Sequence, residues 1–249
     1  MMSDVCYDKN YVKEVIARLD FLTPQQSFEE GLPQNFIDVI RPLFPISESG
    51  KTIVNDIIVS NQNIQNNSKT VTEWIFHGAN REKTIKISST HIIVSFKKYS
   101  TYDGFLKDFT TPIQVLIEEK PKLQINRTGM RFVNIFDDIL LNLNDAEKYF
   151  SKMIASPHVA LYQPENCSRN ILINEYLIEE IKMRVQSGLF NSNYPAPITK
   201  KDFLIDMDAF VDFPHVIVDV PSYLDSLHSE LQNFFEASIT EELRSILNG

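Results

Sequence analysis

This chain of 249 residues has little glycine and lacks long apolar runs. Its seven glycines disfavour the glycine-rich loops that cradle phosphate groups. Gly50-Lys51-Thr52 looks like the end of such a loop, but Pro45 stands where the motif needs its first glycine. The longest apolar runs, such as Ile92-Ile93-Val94, have the length of a strand. We therefore expect neither a phosphate-binding loop nor a membrane-spanning helix.

Cysteine is also scarce, because Cys6 and Cys167 are the two in the chain. They predict two free thiols in a reducing compartment, since a chain of this length needs no disulfide to fold. Residues 1–10 contain acidic side chains and no apolar core of a signal peptide. The sequence therefore predicts a cytoplasmic protein.

Recognisable catalytic motifs are missing as well. The five histidines form none of the short spacings that zinc sites use, and neither cysteine is near one of them in sequence. Ser187-Gly188 lacks the glycine that precedes the serine of a nucleophile elbow. We expect no metal, no cofactor and no catalytic residue.

The negative charge is concentrated at the end of the chain. Residues 201–249 contain ten acidic and two basic residues, which is eight of the nine net negative charges. An acidic end favours a solvated or protein-binding surface and argues against a nucleic-acid partner. Basic residues do cluster lightly, so nucleic-acid binding stays as an alternative; these residues are Lys97, Lys98, Lys120, Lys122, Arg127 and Arg131.

The first half of the chain has the pattern of a strand, a short helix, an antiparallel meander and a long helix. Apolar and charged residues alternate from Val12 to Phe21, which predicts a half-buried strand. Apolar residues at helical spacing predict a helix from Tyr102 to Lys120, kinked or split at Pro112. The elements between them are predicted as a helix at Leu32–Leu43, strands at Lys51–Ser60, Thr70–His77, Lys83–Ser88 and His91–Tyr99, and a loop at Asn61–Ser68.

The second half repeats this order. The predicted elements are a strand at Lys122–Asp138, a helix at Asn144–Ile154, strands at His158–Tyr162, Asn170–Phe190 and Lys201–Val211, and a closing helix at Tyr223–Leu247, with Ile171–Glu180 open to a helical interpretation. The sequence therefore predicts an α+β fold in which antiparallel sheets pack against two long helices. We interpret residues 1–121 and 122–249 as duplicated halves of one compact unit.

Two carboxylates in the last predicted strand are candidate functional residues. Asp206 and Asp208 lie two residues apart, so both point to one face of the strand. They could bind a cation or act as an acid–base pair. The clean alternation favours a solvated outer face, with the core filled by Phe203, Ile205, Met207 and Ala209.

Arg131 and Asn134 are the other candidates. Both lie in a predicted central strand among apolar residues, on opposite faces if the alternation is strict. Polar groups in such a place need partners or line a pocket. A structural salt bridge or hydrogen bond is the simpler interpretation.

Three segments together resemble one protein family. They are Val12–Phe21, Thr128-Gly-Met-Arg-Phe-Val-Asn134, and the ending that runs from Leu227-His228 through Phe235-Glu-Ala-Ser-Ile-Thr-Glu-Glu-Leu-Arg244. The family is a sporadically distributed group of uncharacterised prokaryotic proteins of similar length, with a Gly-Leu-Arg-Tyr-x-Asn-like central strand. Met130 and Phe132 depart from its usual Leu and Tyr. The resemblance implies no activity or site residue, but a patchy distribution implies a mobile or phage-defence gene.

The function predicted from the sequence is a non-enzymatic module that binds another protein or itself. Its basis is the absence of a catalytic motif together with the acidic end. The first alternative is an enzyme or ligand-binding protein with a pocket between sheet and long helix, which would use Arg131, Asn134 and one of the acids. The second alternative is nucleic-acid binding.

Overall fold

The structure is a computed structural model that describes residues 7–60, 63–137, 139–140 and 143–249, with residues 49, 51–60, 63–71 and 144 described by backbone alone. These residues form an α+β fold with ten strands and seven α-helices. The strands are β1 Val12–Phe21, β2 Ile46–Ser60, β3 Asn63–His77, β4 Lys83–Ser88, β5 His91–Phe96, β6 Gln124–Phe136, β7 Asn170–Ile178, β8 Ile181–Phe190, β9 Asp202–Val211 and β10 His215–Val216. The helices are α1 Ser27–Glu30, α2 Gln34–Ile40, α3 Tyr102–Glu119, α4 Ala146–Tyr149, α5 Lys152–Val159, α6 Val220–Ser238 and α7 Glu241–Leu247.

All ten strands belong to one sheet, in the order β2-β3-β4-β5-β1-β6-β9-β8-β7, with β10 paired to β6. Every pairing is antiparallel. Strands β1 and β6 lie side by side in the middle, with β5 beyond β1 and β9 beyond β6. The first strand of each half of the chain therefore pairs with that of the other half.

Strand β1 has the bounds that its alternation predicts. Val15, Ala17 and Leu19 are fully buried, while the residues between them are partly exposed. The same alternation continues in β6, where Met130, Phe132 and Asn134 are buried. Period-two burial of this kind places one face of the sheet in the core and leaves the other partly exposed.

The helices lie on the buried face. Helix α6 packs on β6 and β9, α3 packs on β5, and α5 packs on β8. Ring contacts join the layers, because Phe96 of β5 lies 5.0 Å from Phe105 of α3 and Phe136 of β6 lies 6.4 Å from Phe235 of α6, measured between ring centroids. No described helix packs on the other side of the sheet, which we call the open face.

Helix α3 continues through Pro112, so the predicted split does not occur. Proline lacks the N–H that would bond the carbonyl of Asp108. The turn before it is strengthened by side chains, since the hydroxyls of Thr110 and Thr111 donate to the carbonyls of Leu106 and Lys107 at 2.8 and 2.7 Å. Pro112 itself is buried in the core.

The prediction of one continuous closing helix at Tyr223–Leu247 is wrong, because the structure has two helices there, α6 and α7. Ile239 is extended, with φ −109° and ψ 154°, and it forms an isolated bridge with Phe150. Thr240 then caps α7, accepting a hydrogen bond from the backbone N–H of Leu243 at 3.4 Å. The apolar spacing fits one helix, but a local cap and a distant pairing partner break it in two.

Three other predictions are also corrected. The Asn-rich stretch predicted as a loop belongs to β3 from Asn63 onward, because a full ladder with β2 satisfies its backbone. The predicted strand His158–Tyr162 begins inside helix α5. The predicted helix Asn144–Ile154 is interrupted, since α4 ends at Tyr149 and α5 begins at Lys152. Residues 171–178, which the sequence left open to a helical interpretation, belong to strand β7.

Within the described residues, no helix combines the length and the apolar character needed to cross a membrane.

Candidate functional site

The four candidate residues divide between the two faces of the sheet. Arg131, Asp206 and Asp208 lie together on the open face, because Arg131 pairs in register with Asp208 and Val133 with Asp206. Asn134 lies on the opposite face, beneath α6. No single pocket therefore contains Arg131, Asn134 and one of the acids.

Arg131 and Asp206 form a bidentate ion pair. The guanidinium donates from Nε to Oδ1 at 2.7 Å and from Nη2 to Oδ2 at 2.6 Å. The side chain of Asp206 is 6% exposed and that of Arg131 is 41% exposed. The carboxylate raises the pKa of the Arg131 guanidinium, mainly through this hydrogen bond. The interpretation of Asp206 as a solvated residue is therefore wrong, and the simpler interpretation of Arg131 as a salt-bridge residue is consistent with its geometry.

Asp208 lies in a different environment. Nη2 of Arg127 is 3.3 Å from its Oδ2, and the Arg127 guanidinium stacks on the ring of Phe210 at 4.1 Å. Burial raises the pKa of the Asp208 carboxyl, although Arg127 and Arg131 act in the opposite direction. Gly129 leaves room for Phe210, whose Cβ would lie 3.2 Å from an added side chain at that position. Burial therefore disfavours the charged form of Asp208 in the folded protein.

The open face is nearly neutral. We count the charged residues of the eight neighbouring strands from β3 to β7 in sheet order, taking β3 from Thr72 onward. Those that the register places on this face are seven acids and six bases, so the face has a net charge of −1. Ten of them are ion-paired within the face at 2.6–4.0 Å. The charged residues are Glu14, Arg18, Asp20, Glu73, Lys86, Arg127, Arg131, Glu175, Lys182, Arg184, Asp202, Asp206 and Asp208.

Apolar side chains lie between these pairs. Ile16 and Ile93 flank the centre of the face on β1 and β5, and Val133 lies beside them on β6. On β7, Ile173 and Leu177 are 48% and 70% exposed. An antiparallel sheet that faces water on one side is usually polar there, so this mixed face has the composition of a docking surface.

A cavity of about 110 Å³ lies on the other side of the sheet, between β6, α6 and the segment that leads into β1. Seven rings line it, and the polar side chains at its wall include Asn134, Gln232 and Glu236. The rings are those of Tyr7, Tyr11, Tyr99, Tyr102, Phe132, His228 and Phe235. Tyr102 and His228 stack with their centroids 3.6 Å apart and their planes within 4°.

Glu236 connects three parts of the chain at the end of this cavity. The hydroxyl of Tyr7 donates to both of its carboxylate oxygens, at 2.8 and 3.0 Å. Nη2 of Arg244 lies 2.9 Å from Oε2 and also donates to the backbone carbonyl of Glu236 at 2.6 Å. Burial, reinforced by Glu236, raises the pKa of the Tyr7 hydroxyl. The interaction fixes the N-terminal segment and α7 to α6.

A serine, a histidine and an asparagine are arranged like a nucleophilic triad in the core. Nδ1 of His158 is 2.8 Å from Oδ1 of Asn170, and Nε2 is 3.5 Å from the hydroxyl of Ser187. Ser187 and His158 are both 0% exposed, so no substrate reaches the hydroxyl. Burial lowers the pKa of His158, which keeps the ring neutral. This arrangement satisfies buried polar groups rather than performing catalysis.

No metal site is built by the part of the chain that the structure describes, where groups of three or more metal-ligating side chains do not occur. Asp206 and Asp208 are each directed to an arginine instead. Arg127 and Arg131, two of the basic residues that kept nucleic-acid binding open, are occupied by the same contacts. Cys167 is a free thiol, and Cys6 lies outside the described residues.

The first alternative from the sequence placed a pocket between sheet and long helix, and the cavity lies there with Asn134 in its lining. The other three candidates, Arg131, Asp206 and Asp208, are on the opposite face, and the other lining residues were not predicted. The walls of the cavity come from segments far apart in the chain, which meet only in the folded sheet. One signal was present: His228, Gln232 and Phe235 lie at four- and three-residue steps on α6, so they share a face of the helix.

Comparison with known proteins adds no assignment: no protein-family model matches the chain, and no curated protein is significantly similar to it.

Proposed function

We propose that this protein is a non-enzymatic interaction module that docks a second copy of its own chain on the open face of the sheet. The observation that supports this most strongly is the composition of that face. No described helix covers it, and it is nearly neutral and partly apolar, while the chain as a whole carries a charge of −9.

The size of the face suits a protein partner. Eight strands about 4.8 Å apart, with a shared length of about six residues at about 3.3 Å each, give a face of roughly 34 by 20 Å. That area, about 700 Å², is close to the roughly 800 Å² that each partner buries in a standard interface. The exposed Ile173 and Leu177 on edge strand β7 extend the apolar part to the rim.

Charge favours a second copy over an unlike partner. Two molecules of net charge −9 repel each other at most orientations, and this repulsion is smallest where neutral surfaces meet. The ion pairs on the open face are made within the chain, so they need no opposite charge from a partner. A nucleic acid would require a net positive surface, which this face lacks in its described residues.

The interaction module is proposed to act in the cytoplasm, and the free thiol of Cys167 supports this location. The resemblance to a patchily distributed prokaryotic family favours a setting in mobile or defence-associated genes.

We also propose that the chain arose by duplication of a strand–helix–meander–helix unit. Its support is the symmetric order around the centre of the sheet, where β5-β1 is followed by β6-β9. In each half a long helix follows the strand that borders the central pair, as α3 follows β5 and α6 follows β9 and β10. Separate expression of residues 1–121 and 122–249 would test whether the halves associate.

Sedimentation velocity over a range of concentrations tests the docking proposal. We expect the wild-type protein to form a dimer, and we expect Ile173→Glu to weaken the dimer at least about tenfold, because a buried unpaired carboxylate costs more than 1.4 kcal/mol. Met153→Glu is the matched control, since Met153 is 46% exposed on α5 and Ile173 is 48% exposed on β7.

Two results would contradict the proposal. One is a wild-type protein that stays monomeric at about 100 µM, which would limit the association free energy to weaker than about −5.5 kcal/mol. The other is a dimer that Met153→Glu weakens as much as Ile173→Glu does.

A further inference from the structure

We propose that the cavity beneath α6 binds a neutral, single-ring heterocycle with the size and polar edge of a pyrimidine base. This site lies on the opposite face of the sheet from the docking surface. It does not depend on self-association, so either proposal can fail without the other.

The volume and walls of the cavity select a flat ring. An engineered apolar cavity of about 150 Å³ holds benzene, so the cavity of about 110 Å³ admits about one ring. Phe132, Tyr99 and Phe235 line it, beside the stacked pair of Tyr102 and His228. Aromatic walls of this kind favour a planar ligand, because offset and edge-on ring contacts stabilise it beyond the area it buries.

Asn134 provides a polar group for the edge of that ring. Its amide nitrogen donates to the carbonyl of Ile205 at 3.2 Å, but no described residue donates to its side-chain oxygen. Asn134 is 3% exposed, and its side chain lines the cavity. The side-chain oxygen can therefore accept a hydrogen bond from a ligand N–H in the cavity.

Gln232 provides the second polar group. Its amide lies at the cavity wall on α6 and makes no hydrogen bond within the part of the chain that the structure describes. An amide both donates and accepts, so it complements the paired N–H and carbonyl groups of a pyrimidine base. Together Asn134 and Gln232 distinguish such a base from a plain hydrocarbon ring.

The charges at the cavity exclude a phosphorylated ligand. Among its described lining residues, Lys9 is the cation and Glu236 is the anion. Lys9 lies over the ring of Tyr11 at 5.2 Å, and Glu236 is bound by Tyr7 and Arg244. A phosphate would meet one lysine and one carboxylate, rather than the cluster of donors that phosphate sites present. A free base fits this balance.

Calorimetric titration with uracil, cytosine and benzene tests the site. We expect at least one of the two bases to bind saturably and at least about tenfold more tightly than benzene. Gln232→Leu should weaken that binding about fivefold, because it removes a hydrogen bond without creating a cavity. Asn134→Leu should abolish it.

The neighbouring substitution Asn233→Leu is the control, since Asn233 is exposed and does not line the cavity. Gln232 has no described partner to lose, so Gln232→Leu stays informative even where Asn134→Leu fails to fold. The proposal is overturned if neither base binds, if benzene binds as tightly as the bases, or if Asn233→Leu and Gln232→Leu have equal effects.

Discussion

On one face of β6, Phe132, Asn134 and Phe136 are buried against α6, whereas on the other face Arg131 and Val133 stay partly exposed. The buried face is specified by the packing of rings, since Phe136 contacts Tyr11, Phe150 and Phe235. The open face is specified by pairs of charges from neighbouring strands. Alternate residues of the same strand therefore contribute through different interactions, and we expect them to respond differently to substitution.

The largest expected difference is between Phe136→Ala and Val133→Ala. Phe136 is fully buried, so its removal should lower the free energy of unfolding by about 4 kcal/mol through lost burial and an unfilled cavity. Val133 is half-buried, and its truncation should cost less than about 1 kcal/mol. Urea unfolding followed by circular dichroism measures both. Equal losses would show that the open face is covered as fully as the helix side.

The second comparison is within the open face, between Asp206→Asn and Asp208→Asn. Asp206→Asn should destabilise the protein by about 2 kcal/mol, which is less than for a fully buried pair because water can reach Arg131. Asp208→Asn should leave stability at pH 7 unchanged or slightly raised, because the raised pKa of Asp208 means that folding disfavours its charged form. A larger loss from Asp208→Asn in the same urea experiment would refute this ranking.

The smallest expected effect is a pH dependence of the free energy of unfolding that comes from His158 on the buried face. Burial lowers the pKa of His158, so the folded state keeps the ring neutral while the unfolded chain takes up a proton below about pH 6.5. The stability that depends on neutral His158 is therefore complete above pH 6.5 and is lost as the pH falls below it. Between pH 7.5 and 5.5 we expect a loss of about 1 kcal/mol from this residue.

His158→Gln provides the control for this pH dependence, because glutamine stays neutral throughout the range. His91, whose pKa burial also lowers, retains its own share of the slope in that variant. The test is the free energy of unfolding of the wild type and of His158→Gln at pH 7.5 and 5.5. If the free energy falls by the same amount in both proteins, His158 is not the cause of the pH dependence.

Much of the fold could be predicted because local pattern determined it. The bounds of β1 and β4 follow from alternation, and α3 follows from apolar spacing. The break at Ile239 could not be predicted, because its cause includes a bridge to Phe150, which is 89 positions away. Local pattern indicates what an element can be, and distant contacts decide where it ends.

The candidate site was harder to predict for the same reason. Arg131, Asp206 and Asp208 were identified as residues, but the pairing of Arg131 with Asp206 depends on the register between β6 and β9, 75 positions apart. A shift of one residue in that register would turn these side chains to the other face. The cavity depends on still more segments, since Tyr7, Tyr99 and Asn134 reach it from three separate parts of the chain.

Carbene footprinting at increasing protein concentration tests most directly whether the open face docks a second copy. The account predicts that labelling of Ile16, Ile173 and Leu177 falls as the dimer forms, while labelling of Met153, which is also exposed to solvent but lies on α5 on the helix side of the sheet, stays constant. Protection of Met153 with Ile173 and Leu177 still labelled would contradict it, because the contact would then lie elsewhere on the protein.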